Sequence, residues 1–180
     1  MDSISVKIDA LTEKAKLIKL VIFDIDGIFT DGGIYIDDHG VEIKAFHALD
    51  GLGIKLLHDM QIDTAVISGR KAPAVNFRMT ALEIRHVFQG YPHKLPIYRD
   101  LLKNLKLQDK EVAYMGDDLP DLPLLKRVGL PITVPNAVKE VQETALFMTH
   151  VRGGEGAVRE VCEFILKAQG KWETVLNQYM

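Results

Sequence analysis

Cysteine is nearly missing from this chain: of 180 residues only Cys162 carries a thiol, so no disulfide closes within it. Positive charge is not in excess either. Lys and Arg number 22 against 25 Asp and Glu, a formal charge of −3, and no basic run offers a footing for a phosphate backbone, so no nucleic-acid partner is expected. No apolar run reaches the length of a membrane span, and the first residues, MDSISVKIDALTEK, lack the apolar centre of a signal peptide. With six methionines beside the lone thiol, the expected compartment is the reducing cytoplasm, away from membranes. Repeats, low-complexity stretches and long linkers are also lacking. At 47% hydrophobic content the length suits one sizeable core, and a single domain over residues 1–180 is expected.

What is present alternates. Four short apolar runs rich in β-branched residues end in polar, Gly or Pro residues: KLVIFD at 19–24, DTAVISG at 63–69, EVAYMGD at 111–117 and GLPITVP at 129–135. Such runs read as strands buried on both faces. EIRHVFQ at 83–89 and ALFMTH at 145–150 are weaker strand candidates. Between them, Leu52, Leu56, Leu57 and Met60 share one helical face, as do Tyr98, Leu101, Leu102 and Leu105. Strands alternating with helices predict an α/β fold with a mostly parallel, doubly wound sheet, whose sites lie at the carboxyl ends of the strands.

Residues 33–46, GIYIDDHGVEIKAF, break the alternation with a period-two pattern around a turn signal. They predict a β-hairpin standing over the acidic loop as a flap. Near the end, Val158, Val161, Cys162, Ile165 and Leu166 mark a helix, and Trp172, Val175, Leu176 and Tyr179 repeat its spacing on a short tail after Gly170. That tail packs either on its own domain or on an adjacent subunit. The glycines of RGGEGAVRE at 152–160 read as turn and cap residues.

Residues 20–33, LVIFDIDGIFTDGG, aim carboxylates off the end of a buried strand. In a parallel sheet the ends carrying Asp24 and Asp26, then Ser68, then Asp117 and Asp118, converge on one edge. Crowded carboxylates raise one another's pKa unless a cation joins them. Oxygen-only ligands favour Mg2+, which takes a few carboxylates and a substrate phosphate. A carboxylate can act as nucleophile toward phosphorus, a second acid two residues on can protonate the leaving oxygen, and a serine before glycine offers a hydroxyl and N–H groups to phosphate. Lys94 can neutralise the developing charge. Asp31, Asp37 and Asp38 read as turn formers, and no role is assigned to His39, His58, His86, His93 or His150.

Four stretches in order, DIDG with Thr30, VISGR at 66–70, Lys94, and MGDDLPD at 115–121, resemble the four motifs of the haloacid dehalogenase (HAD) superfamily. The resemblance implies Asp24 as nucleophile and Mg2+ ligand, and Asp26 as general acid/base with its carbonyl on the metal. It further implies Asp117 as a metal ligand, Asp118 and Asp121 in support, and Ser68, Gly69 and Lys94 on the phosphoryl group. FTDG at 29–32, the hairpin, HALDGLGIKLL at 47–57, SGRKA at 68–72, the Gln89–Gly90 pair and the 152–160 loop extend the likeness over nearly the whole chain. They resemble a capless branch, the 3-deoxy-D-manno-octulosonate (KDO) 8-phosphate phosphatases, whose relatives act on nine-carbon sugar-acid 9-phosphates. That branch implies a phosphorylated sugar-acid substrate, no large cap domain, and a homotetramer in which neighbouring subunits help close each site. It also sets His47, Ala48, Leu49, Asp50, Gly51 and Lys55 along the substrate, although Asp50 and its glycines serve equally as N-cap and turn. Arg70 and Arg78 suit bidentate binding of the substrate carboxylate, or lie as helix-surface arginines. Two other classes stand beside the phosphatase. A signalling receiver would carry its acid pair and phosphoacceptor on different strands, unlike Asp24 and Asp26, and a non-catalytic tetramerising module would not need intact motifs.

Overall fold

The computed structural model describes residues 3–180. In chain order the elements are α1 (Ser3–Lys16), β1 (Leu20–Phe23), β2 (Tyr35–Ile36), β3 (Glu42–Ile43), α2 (Ala48–Asp59), β4 (Asp63–Ser68), α3 (Pro73–Ala81), β5 (His86–Gln89) and α4 (Lys94–Leu105). There follow β6 (Val112–Met115), α5 (Leu122–Leu125), β7 (Leu130–Thr133), α6 (Lys139–Thr144), β8 (Phe147–Met148), α7 (Ala157–Ala168) and α8 (Trp172–Leu176). Among the described residues no helix is long and apolar enough to cross a membrane.

Six strands form one sheet in the order β5-β4-β1-β6-β7-β8, every neighbouring pair parallel. Each of the four residues of β1, β6 and β7 is buried. A strand covered on both faces has no use for alternation, which is why these segments read as continuous apolar runs. Burying each large β1 side chain contributes roughly 1.5–3 kcal/mol. The helices supply the cover: α1 and α2 pack on α7, while α4 packs on α5 and lies along β4. Val158, Val161, Cys162, Ile165 and Leu166 form the buried stripe of α7. The alternating helices and strands and the all-parallel order make the fold the expected doubly wound α/β sheet.

The chain leaves β1 for β4 and β5 on one side, then returns to β6, β7 and β8 on the other. The winding reverses at β1, and the splayed connections there open a crevice at the carboxyl edge. Phe23 stands level with Val66 of β4 and Met115 of β6, so the residues that follow each strand meet in one place.

The period-two segment forms an antiparallel pair, β2 with β3. Its strands are only two residues long, and its apolar side chains Ile34, Tyr35, Ile36, Val41 and Ile43 all face solvent. The tail divides. Val175 of α8 is buried, and the Trp172 ring lies against α7 with Lys167 Nζ 4.9 Å from its centre, whereas Tyr179 and Met180 are exposed.

Candidate active site

Asp24 extends the ladder one residue past β1: its N–H donates to the Met115 carbonyl at 3.0 Å. The carboxylate is thereby fixed at the bottom of the crevice. There Lys94 Nζ, from the first turn of α4, stands 3.0 Å from Asp24 Oδ2 and donates to Asp121 Oδ1 at 2.6 Å and to the Tyr114 hydroxyl at 3.1 Å. Asp121 is saturated. Its Oδ1 also accepts the Tyr114 O–H at 2.6 Å, and its Oδ2 accepts the N–H groups of Asp117 and Asp118 at 2.8 and 3.1 Å. With no lone pair to spare, Asp121 shapes the loop that presents Asp117. Gly27 makes room for that acid. Its φ of +83° suits glycine, and a methyl group there would run into the Asp117 carboxylate.

Among the described residues, Asp24, Asp117 and Asp121 bring carboxylate oxygens within 4.8 Å of one another. Asp24 Oδ1 and Asp117 Oδ1 are buried without a hydrogen-bond partner. Burial pushes the Asp24 carboxyl up to about 7, with Lys94 opposing and Asp121 adding to the shift. Burial, then the charges of Asp24, Asp121 and Asp118, push Asp117 up to about 8. Burial also works against the Lys94 ammonium, but Asp24 and Asp121 outweigh it and hold its pKa above the usual lysine value. One ammonium therefore does not neutralise the cluster. Two orphaned carboxylate oxygens in a water-poor corner are a donor set for a hard divalent cation, and Mg2+ fits them.

The other residues of the acidic loops join them. Asp26, Asp118, Ser68, Gly69 and Arg70 line the same cleft as Asp24, Asp117, Asp121 and Lys94, a space of about 360 Å3. Ser68 is buried at the end of β4, where its Oγ accepts the Arg70 N–H at 3.3 Å. Thr30 Oγ1 accepts the N–H groups of Gly27 and Gly32 at 3.4 and 3.3 Å and so ties the loop after β1.

His47, Ala48, Leu49, Asp50, Gly51, Lys55 and Arg78 do not line that cleft. The helix cap of α2 is His47, whose Nδ1 accepts the Leu49 N–H at 3.3 Å; Asp50 is not the N-cap. Asp50 is buried instead, its Oδ1 accepting the Arg159 N–H of α7 at 2.9 Å, and burial raises its pKa to about 6. Arg78 lies over Gly51, its guanidinium 6.0 Å from the Phe46 ring centre, and Lys55 is exposed on α2. The glycine loop at 152–156 does more than turn and cap. Gly156 is the N-cap of α7, but a methyl group on Gly153 would overlap the Gly27 carbonyl, and the Gly154 N–H donates to the Ile28 carbonyl at 3.0 Å.

Sequence reasoning missed Glu42 and Lys44 on the hairpin and Tyr114 on β6. Lys44 Nζ, its side chain 1% exposed, pairs with Asp26 Oδ1 and lies 2.7 Å from Glu42 Oε1. Arg70 closes the ring, 2.8 Å from Glu42 Oε2 and 3.6 Å from Asp26 Oδ2. Burial disfavours the Lys44 ammonium, but hydrogen bonds to Asp26 and Glu42 hold its pKa above the ordinary value. The available signal was period two: Glu42 and Lys44 share the face opposite Val41 and Ile43.

Known proteins resemble the chain in sequence and fold. A family model described as haloacid dehalogenase-like hydrolase matches residues 87–160, the part holding Lys94 and the 117–121 acids. The chain is 44% identical over 165 residues to the 3-deoxy-D-manno-octulosonate 8-phosphate phosphatase KdsC of Salmonella typhi, covering 92% of this chain and 88% of that one. The crystal structure of the Yersinia pestis phosphatase of that name superposes with a TM-score of 0.90 at 44% identity, over 92% of this chain and 89% of that one. The Moraxella catarrhalis enzyme, solved with magnesium ion, phosphate ion and KDO, superposes with a TM-score of 0.94 at 41% identity, over 96% and 99% of the two chains. With the acids, the lysine and the hairpin on one sheet edge, and such likeness along nearly its whole length, the chain belongs to the KDO 8-phosphate phosphatase family of HAD-like hydrolases.

Proposed function

We propose that this protein hydrolyses KDO 8-phosphate to KDO and inorganic phosphate, with Mg2+ as cofactor, in the supply of lipopolysaccharide precursors. The observation that carries the reading is the pair of unpartnered oxygens, Asp24 Oδ1 and Asp117 Oδ1, beside Lys94 at the floor of the cleft. Asp24, Asp117 and the main-chain carbonyl of Asp26 would hold the ion. Bound there, Mg2+ neutralises the acids and the incoming phosphate and polarises the phosphoryl group.

Asp24 attacks phosphorus through a carboxylate oxygen, and the bond to the sugar oxygen breaks while Asp26 delivers a proton to it. KDO leaves with that oxygen as a hydroxyl group, and an aspartyl-phosphate remains on Asp24. Asp26 then takes a proton from water, whose oxygen displaces Asp24 and releases phosphate. Ser68, the Gly69 N–H and Lys94 hold the phosphoryl oxygens through both steps, and Asp118 and Asp121 support the metal loop. Arg70, exposed at the cleft rim, meets the sugar acid.

In this reading residues 1–180 form one catalytic domain with the hairpin as its flap. Homotetramers are supported by the five exposed apolar residues of the hairpin, a face that a neighbouring subunit would cover. The work is cytoplasmic, on a small phosphorylated sugar acid, without nucleic acid or membrane.

The test is phosphate release by the purified protein, with and without Mg2+, from KDO 8-phosphate, a nine-carbon sugar-acid 9-phosphate and a neutral sugar phosphate. Metal-dependent preference for the first is expected. Comparable turnover of all three would reject the substrate, and no turnover of any would reject the phosphatase.

A further inference from the structure

We propose that Lys44 is a positioning residue for Asp26: from the hairpin it holds that carboxylate in the one orientation from which a proton reaches the leaving oxygen. The inference rests on the phosphatase reading above and adds a residue to it.

Burying an ammonium is costly unless it is paired and hydrogen-bonded. The Lys44 side chain is nevertheless 1% exposed, although the residue lies one position beyond a two-residue strand with solvent close on the other face. Nothing in the hairpin's own stability requires this, since pairing β2 with β3 uses backbone groups. The burial makes sense through its partner. Asp26 follows the last residue of β1 by three and stands in a turn, where its side chain has no strand neighbour to fix its rotation.

Two cations fix it from opposite sides, Lys44 at Oδ1 and Arg70 at Oδ2, the latter at 3.6 Å. Glu42 sets both, one of its oxygens ion-paired with Lys44 Nζ at 2.7 Å and the other accepting a hydrogen bond from Arg70 at 2.8 Å. The contacts are unequal. Arg70 is half-exposed and well placed to turn toward an incoming anion, whereas the Lys44 side chain is enclosed and, among the described residues, pairs with Asp26 and Glu42 alone. When substrate enters and Arg70 turns to it, Lys44 alone keeps Asp26 in place, leaving Oδ2 toward the cleft. The proton then passes from Asp26 Oδ2 to the bridging oxygen as its bond to phosphorus breaks, and the sugar departs as an alcohol.

Leaving groups of different basicity separate this role from a structural one. The quantity kcat/KM covers only the steps up to transfer of the phosphoryl group to Asp24, and a good leaving group needs little help from an acid. Lys44→Met should therefore lose most on KDO 8-phosphate, less on phenyl phosphate and least on 4-nitrophenyl phosphate. The spread between the extremes should be on the order of tenfold to 10^2-fold, as for a displaced catalytic group. Asp26→Asn should show the same ordering more steeply, and Lys44→Arg should recover most of the loss. Glu42→Gln, which keeps Lys44 but loosens it, should reproduce the ordering weakly and carries the test if Lys44→Met does not fold. Equal losses on all three esters, or none, would overturn the proposal, as would a loss confined to KDO 8-phosphate, which would make Lys44 a reader of the sugar acid. Failure of the wild-type protein to release phosphate from any ester would instead sink the phosphatase reading itself.

Discussion

β1 and the hairpin strand β3 both set charge beside apolar residues, and they do so by opposite rules. In β1 the apolar residues are consecutive, buried on both faces, and the acids come afterwards, beyond the strand's end. In β3 and the residues flanking it the two kinds alternate, and the sides are reversed from those of an ordinary surface strand: Glu42 and Lys44 point to the protein, Val41 and Ile43 to solvent. The first rule builds a floor, because a strand gripped on both faces cannot shift its terminal carboxylate. The second builds a rim, tied to the acidic loop by ion pairs on its inner side and leaving its apolar side exposed.

The comparison breaks first at the floor. Asp24→Asn removes the attacking carboxylate, and turnover should fall on the order of 10^4-fold or more, read as phosphate release under saturating Mg2+. Full activity would move the nucleophile elsewhere. Lys94→Met leaves Asp24 and Asp121 buried with no cation, and denaturant melts should show a loss of about 3–5 kcal/mol together with near-complete loss of activity. A stable variant would mean that the two acids share a proton.

A smaller effect is set by pH. The folded pKa values of Asp24 and Asp117, about 7 and about 8, lie above the ordinary 3.8, so the metal-free folded chain holds these protons more tightly than the unfolded one. Their contribution to stability is fully present below the ordinary value and is lost as pH rises through 7 to 8. Mg2+ requires the ionised forms. It should raise the melting temperature more at pH above this window than below it, and its binding near neutral pH should release protons, seen in calorimetry as a heat that depends on the buffer. Equal thermal shifts on both sides would refute the raised values.

The mildest change sharpens the other half of the comparison. Ile36 is 64% exposed, and Ile36→Asp should leave the fold of one chain within about 0.5 kcal/mol. It should nevertheless shift the mass measured by light scattering below that of a tetramer. A mass unchanged by the charge would show that the hairpin face is not buried between subunits.

The same contrast explains what could be read in advance. A continuous run that ends in acids announces both its burial and its edge, so the strands, their parallel order and the meeting of Asp24, Asp26, Ser68, Asp117 and Asp118 were legible from local pattern, while Lys94, on a helix, was placed by its likeness to a family motif. An alternating segment announces two faces without saying which is inside, so Lys44 passed unnoticed. Asp50 read equally as a substrate contact or a local cap, but its partner is an N–H more than a hundred residues away on α7. Tyr114 was read as one more apolar strand residue, and only the fold brings its hydroxyl to Asp121 and Lys94.

The glycine pair at 153 and 154 has a mechanical consequence. By lying directly on the backbone at 27 and 28, it welds the loop after β1 to the segment leading into α7, with Asn136 Oδ1 pinning the Gly153 N–H from behind at 3.0 Å. A loop backed in this way cannot swing to admit a substrate. The acids that follow β1 therefore rest on an anvil of backbone, which no side-chain rotation can loosen.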